Sequence, residues 1–170
     1  LKGEKGMKYI IIAVLFVICL VVGYTFFSKY DKRKKFFTSL IMLAEKLTVE
    51  INFSRERLKV LIENFDKNTK QNLLGIDEGF ISYLDKKTEL NEKEIFKKAD
   101  VLKKNEKDFI LLFLKMLGRS DVENQTKEIA SFNKRFQEMK ASSDLEYKKY
   151  GTLSLKLSLI AGLFFVIVLI

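Results

Sequence analysis

The chain has 170 residues, 48% of them apolar, and carries 31 Lys and Arg against 22 Asp and Glu, a formal net charge of +9. It has no histidine, proline or tryptophan, and one cysteine, Cys19. That inventory excludes Ser-His-Asp or Cys-His catalysis, imidazole metal ligation and a disulfide framework within one chain, and the lack of proline favours long helices.

The chain opens LKGEKG before Met7. Lys-Gly-Glu can be encoded by AAAGGAGAA, a purine-rich ribosome-binding sequence at a plausible distance before a start codon. Met7 is therefore the expected start, and residues 1–6 read as translated leader; mass spectrometry of the native N-terminus checks this. Tyr9 to Phe27, YIIIAVLFVICLVVGYTFF, holds no charge. Its 19 residues at helical rise span about 28 Å, a bilayer core. The run passes into FFSKYDKRKK without a small-x-small cleavage pattern, so it reads as an uncleaved anchor rather than a signal peptide.

Past the anchor, Phe36, Leu40, Leu43, Leu47 and Ile51 form an apolar stripe, so the membrane helix is expected to continue through the basic cluster. Ser54 is the expected cap of a second helix with Leu58, Leu61, Ile62 and Phe65, closed by the polar run Asp66–Asn72. Leu73, Ile76, Phe80 and Leu84 mark a third stripe, weakened by Gly75 and Gly79. A fourth helix, ending at Leu102, should start at Asn91, with Glu94 completing a capping box and Leu90 and Ile95 a hydrophobic staple. Asn105 is the expected cap of a fifth, which would bury Phe109, Leu112, Phe113, Met116 and Leu117.

A corner follows, LGRSDVENQTKEI. Gly118 suits the left-handed position that ends a helix, and Ser120 with Glu123 forms a capping box for the next. The last helix should bury Val122, Ile129, Phe132, Phe136, Met139, Tyr147 and Tyr150 and run, with at most a bend at Gly151, into Leu153–Ile170. This second apolar segment spans a bilayer if Lys156 snorkels to the headgroups. The predicted fold is all-α: an antiparallel helical bundle with an N-terminal and a C-terminal transmembrane helix. Its parts are a leader at 1–6, membrane helices at 9–27 and 153–170, and a bundle at 28–152.

Lys29, Lys32, Arg33, Lys34 and Lys35 follow the first anchor, and Lys148 and Lys149 precede the second. The positive-inside rule then puts the middle in the cytoplasm and both ends across the membrane. From Ser28 to Thr152 there are 27 Lys and Arg against 21 Asp and Glu, which suits a domain beside anionic lipid. The basic residues are interleaved with acids and the phenylalanines stand at core spacing, so nucleic acid is not an expected partner. No phosphate-binding loop follows Gly75 or Gly79. Asp77 with Glu78, Asp85 with Glu89 and Glu92 with Glu94 read as solvated helix faces rather than acid–base or metal pairs. No enzymatic activity and no cofactor are expected.

Three stretches carry a family resemblance. FLKMLGRSDVENQTKEI looks like an LG-x-x-D-x-x-x-Q-x-x-x-I corner, here Gly118, Asp121, Gln125 and Ile129. LTVEINF is similar to L-x-x-E-I-x-Y/F, here Leu47, Glu50, Ile51 and Phe53, and KLSLIAGLFFVIVLI to a closing apolar helix with a glycine, here Gly162. In this order, covering nearly the whole chain from Met7, they resemble the stage III sporulation protein AB family of endospore-forming bacteria. One departure is that Arg57 precedes Leu58 where the family usually has proline. The resemblance implies a non-catalytic subunit of a secretion-like complex in the mother-cell membrane around the forespore, similar to the inner-membrane platform protein of type II secretion. A cytoplasmic sporulation ATPase and other membrane subunits are the partners it implies. The competing expectation is a general two-anchor membrane scaffold unrelated to secretion; self-association into a homo-oligomer stays open. For partner binding the candidates are Glu50, Arg119, Asp121 and Gln125, beside Gly118, Ser120 and Glu123, which make the corner. Asp121 also suits a helix N-terminus electrostatically, so the corner reads as structure or as contact surface.

Overall fold

A computed structural model describes residues 2–53, 64–76, 95–96, 99–117 and 122–169. Among these the secondary structure is helical: α1 (Lys2–Phe53), α2 (Lys67–Leu74), α3 (Lys104–Met116), α4 (Val122–Glu146), a π-helical turn (Tyr147–Gly151) and α5 (Thr152–Leu169). The all-α class is as expected, and α1 does run unbroken from the apolar segment through the basic cluster. The chain forms two compact units, one of Leu1–Asp31 with Asp144–Ile170 and one of Lys32–Ser143.

In the first unit α1 pairs with the C-terminal helix. Phe16 and Cys19 lie against Gly162, Gly23 against Ser154 and Ser158, and Tyr30 against Gly151. The partner numbers fall as those of α1 rise, so the two helices are antiparallel. Glycine is required where they come closest. A Cβ on Gly23 would overlap the Ser158 side chain, and one on Gly162 would stand 2.7 Å from the Phe16 ring. Small residues let the backbones approach, which is how helices associate where lipid supplies no hydrophobic drive between them. The seam serines satisfy themselves locally: Ser154 Oγ donates to the Gly151 carbonyl at 2.7 Å and Ser158 Oγ to that of Leu155 at 2.9 Å.

The helix runs on through Gly151 as expected, and there it widens by one residue. The Thr152 amide donates to the Tyr147 carbonyl, five residues back, and the Thr152 hydroxyl donates to that of Lys148 at 2.5 Å. The hydroxyl thus gives a partner to a carbonyl that the widened turn would otherwise under-satisfy. Aromatic rings cluster at this level, with Phe27 and Tyr147 centroids 5.4 Å apart and Tyr30 stacked on Tyr150 at 6.1 Å.

The second unit holds a hydrophobic core. From α1 it takes Phe36, Phe37, Leu40, Leu43, Ala44 and Leu47. Facing them are Leu73 of α2, Ile110, Phe113 and Leu114 of α3, and Ile129, Phe136 and Met139 of α4. Phe109 and Phe113 meet Phe132 and Phe136 with centroids 4.9 to 5.8 Å apart. Each fully buried side chain of this size contributes about 1.5–3 kcal/mol relative to exposure. Asn72 donates to Ser39 at 3.1 Å, and Lys46 donates to the Asn64 carbonyl at 3.1 Å while lying over the Phe65 ring. These contacts set α2 antiparallel to α1.

Three local expectations are corrected. The polar run Asp66–Asn72 does not merely close a helix; it builds most of α2. Asp66 Oδ1 accepts from the Asn68 and Thr69 amides, and Oδ2 from the Thr69 hydroxyl at 2.5 Å, so the acid is an N-cap. The Thr69 hydroxyl, then the Thr69 amide, hold the Asp66 carboxyl below the usual carboxylate range. Next, α3 starts after Lys103, not at Asn105, because the Glu106 carboxylate accepts from the Lys103 amide at 2.9 Å. Its buried face is Glu106, Ile110, Phe113 and Leu114, whereas Leu112 is 55% exposed. Once Glu106 faces inward, residues four and seven further on share its face. Finally, Ala99–Lys103 is turn rather than the end of a helix, with the Ala99 amide donating to the Phe96 carbonyl and the Leu102 amide to that of Ala99. The expected helix starts at Ser54 and Asn91, and Phe80 and Leu84, lie outside the described residues.

Candidate functional site

Gly118, Arg119, Ser120 and Asp121 lie outside the described residues. Glu50 belongs to α1, and Glu123 and Gln125 to α4, by backbone alone; their side chains also lie outside.

The described parts of α1 and α4 flank an open groove of about 390 Å³, lined by Glu45, Thr48 and Val49 on one side and Ala130, Asn133, Lys134 and Gln137 on the other. Glu50 immediately follows Val49, and Gln125 precedes Ala130 by five residues, so two of the candidate positions are next to the groove in sequence. Val49 is 54% exposed, and Glu45 and Lys134 are also exposed. The Asn133 carbonyl oxygen is buried without a hydrogen-bond partner among the described residues. The lining is one acid, one base, two amides, one hydroxyl and the apolar Val49 and Ala130.

Elsewhere in this unit lies a buried ion pair that sequence reasoning missed. Arg33 Nε donates to Glu106 Oε2 at 3.1 Å and Nη2 to Oε1 at 2.5 Å, and both side chains are 4% exposed. The Arg33 guanidinium also lies 5.9 Å from the centre of the Phe37 ring. Glu106 thus does two tasks, capping α3 and holding α1. Arg33 had been grouped with the lysines around it, in KYDKRKK. Its being the one arginine there was the available signal, since a planar, weakly hydrated guanidinium suits buried bidentate pairing where an ammonium does not.

Among the described residues no three Cys, Asp or Glu side chains gather as metal ligands. Cys19 is a free thiol, half-buried against Gly162. Two helices are long and apolar enough to cross a membrane, and only 11% of the most apolar window of each is buried. A core helix of a water-soluble domain would be mostly covered.

A search of curated proteins and one of solved structures return no match. The model of one family, described as stage III sporulation protein AB, matches residues 8–170. With both apolar helices and the whole helical middle inside that match, the chain belongs to the stage III sporulation protein AB family and is a sporulation protein.

Proposed function

We propose that this chain is a non-catalytic platform in the mother-cell membrane, part of a secretion-like channel to the forespore. The apolar parts of α1 and α5 span the bilayer, residues 28–152 face the cytoplasm, and that middle docks the ATPase of the complex. The observation that carries the reading is family membership across 8–170 in a chain whose two apolar helices pair through glycines and leave their large side chains exposed. The positive-inside rule supports the orientation. An open groove with both apolar and charged residues in its lining supports docking.

The contact is proposed at the corner Arg119, Asp121 and Gln125 together with Glu50 and the groove beside it. The double charge reversal Arg119→Glu, Asp121→Arg tests it. Sporulation efficiency is expected to fall by an order of magnitude or more while the protein still accumulates in the membrane. Unchanged sporulation would remove the corner as the contact.

A further inference from the structure

We propose that the aromatic end of the first unit carries a binding site for anionic phospholipid headgroups, built from Lys148, Lys149 and Lys156 with Lys29 beside them. This rests on the membrane-spanning reading and adds to it a lipid class.

All four lysines are exposed. Among the described residues none of them is ion-paired; Lys149 lies over the Tyr150 ring at 5.1 Å. The acids of this end are Asp31, Asp144 and Glu146: Asp31 lies further from the first apolar span than Lys29, and Asp144 and Glu146 lie further from the second than Lys148. Positive charge is therefore innermost, where lipid phosphates sit, and negative charge is outermost.

The π turn sets the alignment. Eight residues separate Lys148 from Lys156, but the widened turn absorbs one of them. About seven ordinary helical steps remain, close to two full turns, so the two side chains lie in line roughly 10 Å apart along the axis. Ser154, Ser158 and Gly162 take the face toward α1, and Lys156, two steps from both serines, points away from it. An unpaired ammonium inside an apolar helix must reach back to the headgroup level. There it meets Lys148 and Lys149 under Tyr30 and Tyr150, rings of the kind that sit at the membrane interface. One phosphate between them would supply the counter-charge that the protein leaves out.

The test uses the full-length chain reconstituted in bilayers of equal parts phosphatidylcholine and phosphatidylglycerol, with retained lipids counted by native mass spectrometry. The wild type is expected to keep phosphatidylglycerol in excess, and free inorganic phosphate should not displace it. The triple variant Lys148→Gln, Lys149→Gln, Lys156→Gln should lose that preference, at about fivefold per lysine. An equal loss of charge in the second unit, Lys67→Gln, Lys104→Gln, Lys127→Gln, should keep it. Parity in the wild type, an unchanged preference in the first variant, or equal loss in both variants overturns the site; displacement by free phosphate makes it an anion site rather than a lipid site. If the triple variant does not insert, Lys156→Gln against Lys156→Arg decides, since only arginine should keep the preference and equal behaviour overturns it. Resistance of the wild type to alkaline carbonate extraction separates the two readings. Extraction defeats the membrane assignment itself, whereas resistance with lipid parity defeats only the headgroup site.

Discussion

Removing either Arg33 or Glu106 takes from its partner the opposite charge that faces it in the core of the second unit. Losing one member of such a buried pair costs about 3–5 kcal/mol, whereas replacing both with apolar residues is often neutral. Arg33→Met and Glu106→Leu should therefore each lower the unfolding free energy by about that amount, and the double variant should recover most of it, as read by denaturant titration in detergent. Similar losses in the double variant and the singles would mean that the pair itself, not the charge left behind, dominates. Asp66 gives a pH signature. Its folded carboxyl titrates below the ordinary range, so its contribution is present above the unfolded value of about 3.9 and is lost as pH falls through the folded one. Asp66→Ala should lower the melting temperature at pH 7, and the gap to wild type should close as pH is taken below about 4. A pH-independent gap would show that the cap acts without its charge. Arginine in a lysine cluster and an acid at the start of a helix were both visible in the sequence. What was not visible was which long-range partner each would meet.

Helices differ in how plainly their buried faces could be read. In α1, Phe36, Leu40, Leu43 and Leu47 repeat at helical spacing and all are buried, because one stripe meets one core. In α3, apolar residues from Phe109 to Leu117 surround much of the helix, so periodicity alone left the face ambiguous. Glu106, bound to Arg33, selects Ile110, Phe113 and Leu114. Phe113→Ala should accordingly cost about 3–5 kcal/mol, and Leu112→Lys should be close to neutral in the same titration. The pairing of α1 with α5 offers a covalent check. A Cβ on Gly162 would lie 3.6 Å from that of Cys19, within disulfide reach. Once the Phe16 ring turns aside, Gly162→Cys should give an intramolecular disulfide on mild oxidation, seen as a reducible mobility shift of the monomer. Only disulfide-linked dimers would contradict the antiparallel pairing.

For the whole molecule, the apolar ends made the two long apolar helices and the helical class legible from the chain alone. The π turn was not legible, because no residue type in Tyr147–Gly151 demands a five-residue hydrogen bond by itself. The corner at Gly118–Asp121 was read from capping chemistry, while its role as a contact surface depends on a partner's surface and so is not encoded in local spacing. Docking of a cytoplasmic ATPase is the property that defines the proposed platform. Full-length, affinity-tagged protein should be solubilised in mild detergent from the membranes of sporulating cells and its bound proteins identified. A cytoplasmic ATPase should come down with it in comparable amounts and be lost with Arg119→Glu, Asp121→Arg. Intact membrane-extracted protein that brings down no ATPase would contradict the platform reading.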